Sequence, residues 1–213
     1  VREIGHDSAS SERFERVCGE LGIAVDGATY ERLIAAYRAR GRHYHTLEHL
    51  AACLAELDSA RSLAERPAEV EIALWFHDAV YRTRARDNEA KSAAWATAFL
   101  GAAGCGAQVL ARVERHIMAT RHAEAAASGD TALVLDVDLS ILGQPPEVYR
   151  KFEADVRREY WWVPAAIFRR ERARVLRSLI ERPHVYNVTV FRDRYEAQAR
   201  RNVAGALAAL ERK

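Results

Sequence analysis

Lysine is almost missing from this chain. Of its 32 basic residues only Lys91, Lys151 and Lys213 are lysines, and 30 acidic residues leave a net charge of +2. Charge of one sign is therefore lacking, and nothing in the balance calls for a nucleic-acid partner. The densest basic run, FRRERARVLR (168–177), alternates arginine with glutamate and apolar residues at helical spacing. It reads as a solvated helix face. Cysteine is scarce as well: Cys18, Cys53 and Cys105 stand far apart, in no zinc-binding spacing. They read as buried or incidental thiols in a reducing compartment. With 5 prolines and no Gly/Ser/Pro-rich linker, no boundary divides the 213 residues, so a single domain is expected. No leader-like segment and no apolar run of membrane-spanning length occurs. The expected location is cytoplasmic, with no membrane partner.

What the chain does have is alanine, leucine, arginine and glutamate, which favour helix, and the expected fold class is all-α. Only short pieces such as HVYNVTVF (184–191) read as extended chain. SSERFERVCGELG and ATYERLIAAYRAR carry apolar residues three and four apart and predict two amphipathic helices, stopped near Gly22 and Gly41. A third is capped by Thr46, with His49, Cys53 and Leu57 on one stripe. A fourth is expected to contain ALWFHDAVY (73–81). A fifth is expected to be capped by Asp87, with Glu89, Ser92, Ala96 and Phe99 in line, and a sixth to carry His116 with His122 just beyond. DTALVLDVDLSILGQPP (130–146) alternates like a strand from Asp136 to Ile141. Asp130 as a cap, Gly143 as a stop and Pro145–Pro146 as the next start favour helix instead. In that phase Asp138 has apolar neighbours, whereas Asp136 lies near Ser140, making Asp138 the more deeply placed acid. Three further helices are expected to the C-terminus.

ALWFHDAVY sets His77 and Asp78 side by side in an apolar run, where an unpaired carboxylate costs several kcal/mol or more. Helical phase turns inward His49, His77, Asp78 and Asp138, with His45, Glu89, His116, His122 and Asp136 in reserve. Two imidazoles and two carboxylates make a mixed nitrogen and oxygen set. It suits one divalent ion with open positions, such as Mn²⁺, Fe²⁺, Co²⁺, Ni²⁺ or Mg²⁺. Each residue alone has an ordinary explanation as a cap or a hydrogen-bonded core group. Three separate helices each placing His or Asp on an apolar face is harder to explain so.

In order, the chain contains YHTLEHL, WFHDAVY, DNEAKSA, IMATRH, DVDLSILG and EAQARRNVAGAL, spanning about Arg42 to Leu207. These blocks resemble the HD superfamily, and within it a subgroup described as predicted metal-dependent HD phosphohydrolases. The resemblance implies a single-domain helical bundle of the HD type. Its motif-bearing core would cover about 42–143, with helices over 146–211 packed on it. It implies metal ligands at His49, His77, Asp78 and Asp138, with Asp136 as the other candidate within DVD. A metal-activated water would attack a small phosphorylated metabolite or nucleotide. Asp78 or Asp138 would orient that water, His122, His45 or Glu89 would supply the leaving-group proton, and Arg42, Lys91 and Arg121, with His45, would contact the substrate. Two alternatives remain open. One is a second metal held through His116 and His122, as in dinuclear HD-type oxygenases. The other is a nucleotide-binding regulatory module without turnover. Oligomeric state is left open.

Overall fold

The structure, a computed structural model, describes residues 6–24, 27–122 and 127–212. Among them there is no strand. The helices are α1 (Ser11–Glu20), α2 (Gly27–Tyr37), α3 (Leu47–Ala60), α4 (Pro67–Phe76), α5 (Asn88–Ala102), α6 (Ala107–Ala119), α7 (Gly129–Asp138), α8 (Pro146–Glu159) and α9 (Ala165–Ile180). A short α10 (Thr189–Phe191) runs through one π turn (Arg192–Glu196) into α11 (Ala197–Glu211). The HVYNVTVF segment thus ends as the start of a helix. No helix among the described residues is long and apolar enough to cross a membrane.

α4 is buried around its whole circumference from Glu69 to Phe76, as suits a helix surrounded by others. Val70, Ile72, Ala73, Leu74, Trp75 and Phe76 are all fully buried, and α1, α3, α5, α6 and α7 pack round them. The same helix buries two acids. Glu69 takes a bidentate pair from Arg112 at 2.6 and 2.7 Å. Glu71, without any exposure, is met by Arg13 at 2.8 Å, by Arg16 at 3.1 Å and by Arg61. Arg13 also bridges Asp58 at 2.8 Å and the Leu54 carbonyl at 3.1 Å, tying α1 to α3 and α4. Breaking one partner of such a buried ionic group costs about 3–5 kcal/mol.

α4 stops at Phe76, so the His77–Asp78 doublet lies in the turn after the helix and not inside it. Side chains satisfy the carbonyls this ending leaves free. His77 Nδ1 donates to Leu74 O at 2.7 Å, and the Tyr37 hydroxyl donates to Trp75 O at 3.2 Å. Arg42 donates to the carbonyls of Asp78 at 2.7 Å, Ala79 at 3.1 Å and His45 at 3.0 Å.

α7 likewise ends at Asp138 and tightens into a 3₁₀ turn over Leu139–Gly143. Asp130 does not cap its own helix. It accepts from the backbone N–H of Glu65 and Arg66, at 2.8 and 2.9 Å, at the start of α4. Asp87 makes no capping hydrogen bond and pairs with Lys91 instead. Asp136, expected beside Ser140 and less deep than Asp138, is fully buried. It accepts from Asn187 N, Asn187 Nδ2 and Val188 N at 2.6–3.0 Å. The chain after α9 covers that side of α7, a contact no local periodicity contains. Gly143 meets the π turn so closely that a Cβ there would lie 2.4 Å from Tyr195 Cβ.

Candidate metal centre

Each donor reaches the centre from a different local structure. Thr46 caps α3 by accepting from Glu48 N at 3.3 Å, which fixes the first turn and puts His49 against the core. The turn after α4 presents His77 and Asp78, and the last residue of α7 presents Asp138. His49 Nε2 and His77 Nε2 are 3.1 Å apart. Asp138 Oδ1 lies 3.2 Å from His49 Nε2 and 3.7 Å from His77 Nε2. Asp78 Oδ2 lies 3.5 and 3.3 Å from the same two nitrogens. Nitrogen and oxygen ligands sit about 2.0–2.2 Å from a divalent transition ion, so neighbouring ligands round it are separated by about 3–3.6 Å. Four of the five donor spacings fall in that range, and the Asp138–His77 spacing of 3.7 Å lies just beyond it. The buried group of His49, Cys53, His77 and Asp138, with ligand atoms within 4.8 Å of one another, could hold a metal ion.

The electrostatics favour a cation as well. Burial opposes charge on Asp78 and Asp138. The imidazoles outweigh it: His77, His45 and His49 around Asp78, and His122, His49 and His77 around Asp138, hold both carboxyls below the usual carboxylate range. Burial likewise opposes the His77 imidazolium, but Asp78, Asp138 and the Leu74 carbonyl raise it to about 9. With Nδ1 donating to Leu74, Nε2 is the His77 nitrogen left to face the cluster.

The other sequence-predicted residues divide. His122 Nε2 hydrogen-bonds Asp138 Oδ2 at 2.9 Å, while its buried Nδ1 has no partner among the described residues. His122 also has φ of 51°, in the left-handed region that a side chain rarely adopts, and Arg182 donates to its carbonyl at 2.9 Å. His45 stacks on Tyr81 at 4.0 Å and its ring lies 5.9 Å from that of His49. His116 is held by Thr131 Oγ1 at 2.9 Å and shares no contact with the cluster among the described residues; burial pulls its imidazolium down. Glu89 faces Arg121 at 3.9 Å, with Arg121 half exposed. Lys91 runs along the exposed side of α5 to Asp87. Arg42, expected to contact substrate, is committed to three carbonyls and lies over the rings of Tyr37 and Tyr81. It staples the 42–45 loop to the doublet.

Glu159 escaped sequence reasoning. Almost wholly buried at the end of α8, it accepts from the backbone N–H of His43, Tyr44 and His45 at 2.8–3.0 Å, from the Tyr81 hydroxyl at 3.0 Å and from His45 Nδ1 at 2.7 Å. Burial alone would raise its carboxyl, yet these donors bring it down to about 2. The one signal was an acid in the last turn of a helix, where the macrodipole disfavours it. Compared with protein families, curated proteins and solved structures, the chain matches none.

Proposed function

We propose that the protein is a metal-dependent phosphohydrolase of the HD type, acting on a small phosphorylated metabolite or nucleotide through one divalent ion. The observation that carries this reading is the approach of two imidazole Nε2 atoms and two carboxylate oxygens to 3.1–3.7 Å. In this reading His49, His77, Asp78 and Asp138 are the ligands, and Cys53 is not. Cys53 Sγ is 3.7 Å from both ring nitrogens of His49, hence midway between them. The Nε2 lone pair points away from that midline, so sulfur and Nε2 cannot share an ion in this ring orientation.

A divalent ion bound there would lower the pKa of a coordinated water and draw charge from a phosphoryl oxygen. The chain's own groups supply the rest. The side chains of Asp78 and Asp138 are 16% and 14% exposed, against 3% and 1% for His49 and His77, so water and substrate approach over the carboxylates. Either carboxylate can accept a hydrogen bond from the attacking water. His45, with Nδ1 committed to Glu159, keeps Nε2 for the leaving oxygen's proton, and Glu159 and Tyr81 hold its ring. His122 serves Asp138: one ring nitrogen is bound to it and the other is buried. Glu89 and Arg121 stand as secondary candidates at the rim. His116, bonded to Thr131, counts against a dinuclear centre built from His116 and His122.

The test is phosphate release from a panel of phosphorylated metabolites and nucleotides, run with Mn²⁺, Co²⁺, Ni²⁺ and Mg²⁺ alongside elemental analysis. Turnover should need metal, stop on chelation and vanish in His49→Ala. Metal-loaded protein that releases no phosphate but consumes oxygen with a reduced cosubstrate would sink the reading in favour of an oxygenase. Tight nucleotide binding without turnover would favour a regulatory module.

A further inference from the structure

One groove outside the donor cluster still touches it. A cavity of about 570 Å³ is lined by His122, Arg174, Val175, Ser178, Glu181, Arg182 and Pro183, between the end of α6 and the last turns of α9. Its volume falls in the range of small-molecule sites, about 300–1,000 Å³. His122 is common to cavity and cluster: it lines the cavity and binds Asp138 at 2.9 Å.

Arg182 is the telling residue. It is partly buried, and among the described residues it has no carboxylate partner, whereas Arg13, Arg112 and Arg172 each have one. One guanidinium nitrogen holds the His122 carbonyl at 2.9 Å, and the Arg182 side chain makes no other hydrogen bond or ion pair among the described residues. Burial lowers its pKa. The Arg182 carbonyl is itself anchored by Arg200 at 2.9 Å, so the backbone that carries the guanidinium is fixed. Arg174, paired with Glu171 at 3.3 Å on the open side, adds positive potential at the rim. Val175, 46% exposed, gives an apolar wall, and Ser178 a hydroxyl. Left-handed backbone at His122 is strained and persists where surrounding contacts enforce it. Here it brings the cavity wall and the Asp138 contact together in one residue.

We propose that this cavity receives a second anionic group of the substrate, a carboxylate or phosphate that does not react, with Arg182 as its counter-ion. The substrate class is then a phosphate ester carrying another negative charge on a short carbon chain. This rests on the phosphohydrolase reading only for the word substrate; the anion site itself does not.

The test uses metal-loaded full-length protein and two probes of nearly equal size, 3-phosphoglycerate and glycerol 3-phosphate, which differ by one carboxylate. Binding is measured by calorimetry and phosphate release separately; fructose 1,6-bisphosphate against fructose 6-phosphate tells a phosphate from a carboxylate. A charge-assisted hydrogen bond to the guanidinium predicts roughly tenfold or greater preference for the doubly anionic probe in at least one pair. Val175→Glu, which sets a second carboxylate on a cavity wall that already holds Glu181 and breaks no hydrogen bond, should collapse that preference, as should Arg182→Gln. Preference without phosphate release supports the anion site and counts against the hydrolase. Phosphate release without preference overturns the site and leaves the hydrolase standing. A preference that survives Val175→Glu, or no binding of any of the probes, also overturns the site.

Discussion

Two buried groups of acids in this molecule are solved in opposite ways. Around Glu71 three guanidiniums converge, and Arg13 carries on to Asp58. Around Asp78 and Asp138 there are only imidazoles, the closest at 2.9–3.7 Å, and no arginine or lysine pairs with either carboxylate among the described residues. The first cluster balances its charge with fixed cations and needs nothing from outside. The second has no fixed cation among the described residues, and its imidazole nitrogens belong to a group that could hold a metal ion. A self-neutralised cluster needs no ion; a cluster of acids faced only by imidazoles leaves room for one. Glu159 lies between these extremes, its charge spread over three backbone amides, a tyrosine and His45.

The widest separation between the clusters should come from Glu71→Ala. It leaves three arginines facing an empty carboxylate position and should cost about 3–5 kcal/mol in chemical denaturation. Metal uptake by the folded fraction should be unchanged; a parallel loss of metal would mean the two clusters are not separable. Next is the acid arm of the stability curve. Glu159 has its folded pKa lowered to about 2 from an ordinary 4.5. Its contribution is therefore fully present above about pH 4.5 and is lost as pH falls toward about 2. At roughly 1.4 kcal/mol per unit this amounts to about 3 kcal/mol at most. Glu159→Gln should flatten that part of the curve, and an unchanged slope would show that the amide donors do not hold the carboxylate.

Metal provides the third comparison. At a hundredfold excess over Kd, Mn²⁺ or Co²⁺ should stabilise the wild type by about 2.7 kcal/mol. The His77→Ala, Asp78→Ala double variant should gain nothing, and equal metal retention in both would show that the donors are misassigned. The finest contrast lies two residues apart. Asp136→Ala strips three N–H donors of their acceptor and should cost about 1–3 kcal/mol with metal affinity little changed. Asp138→Ala should do the reverse, losing metal affinity with a smaller stability change. The opposite pattern, read by calorimetry and denaturation on the same proteins, would move the ligand to Asp136.

The helical fold was legible because period 3.6 is a local property, written into each segment from α1 to α9. The grouping of His49, His77, Asp78 and Asp138 was suggested by phase together with family resemblance. What stayed hidden depends on partners distant in sequence. Asp136 looks half-solvated until Asn187 and Val188 cover it, 51 and 52 residues on. Glu159 reaches back 114–116 residues to the His43–His45 loop. Arg42 reads as a phosphate contact because nothing nearby reveals that the carbonyls at 78 and 79 will claim its guanidinium. The ending of α4 at Phe76 was hidden for the same reason, since Tyr37 satisfies the Trp75 carbonyl that the ending helix exposes and Arg42 holds the turn beyond it.

The clamp on Asp136 also sets an order of events. As the chain is synthesised, all four donors exist once residue 138 has emerged, but the three amide groups that fix α7 through Asp136 belong to residues 187 and 188. Until then only the packing of α7 against α3, α4 and α6 sets its rotation, and Asp136 lacks those donors. The donor cluster is complete in sequence some fifty residues before the chain that clamps α7, so its final geometry belongs to the last stage of folding, after residues 187 and 188 have docked.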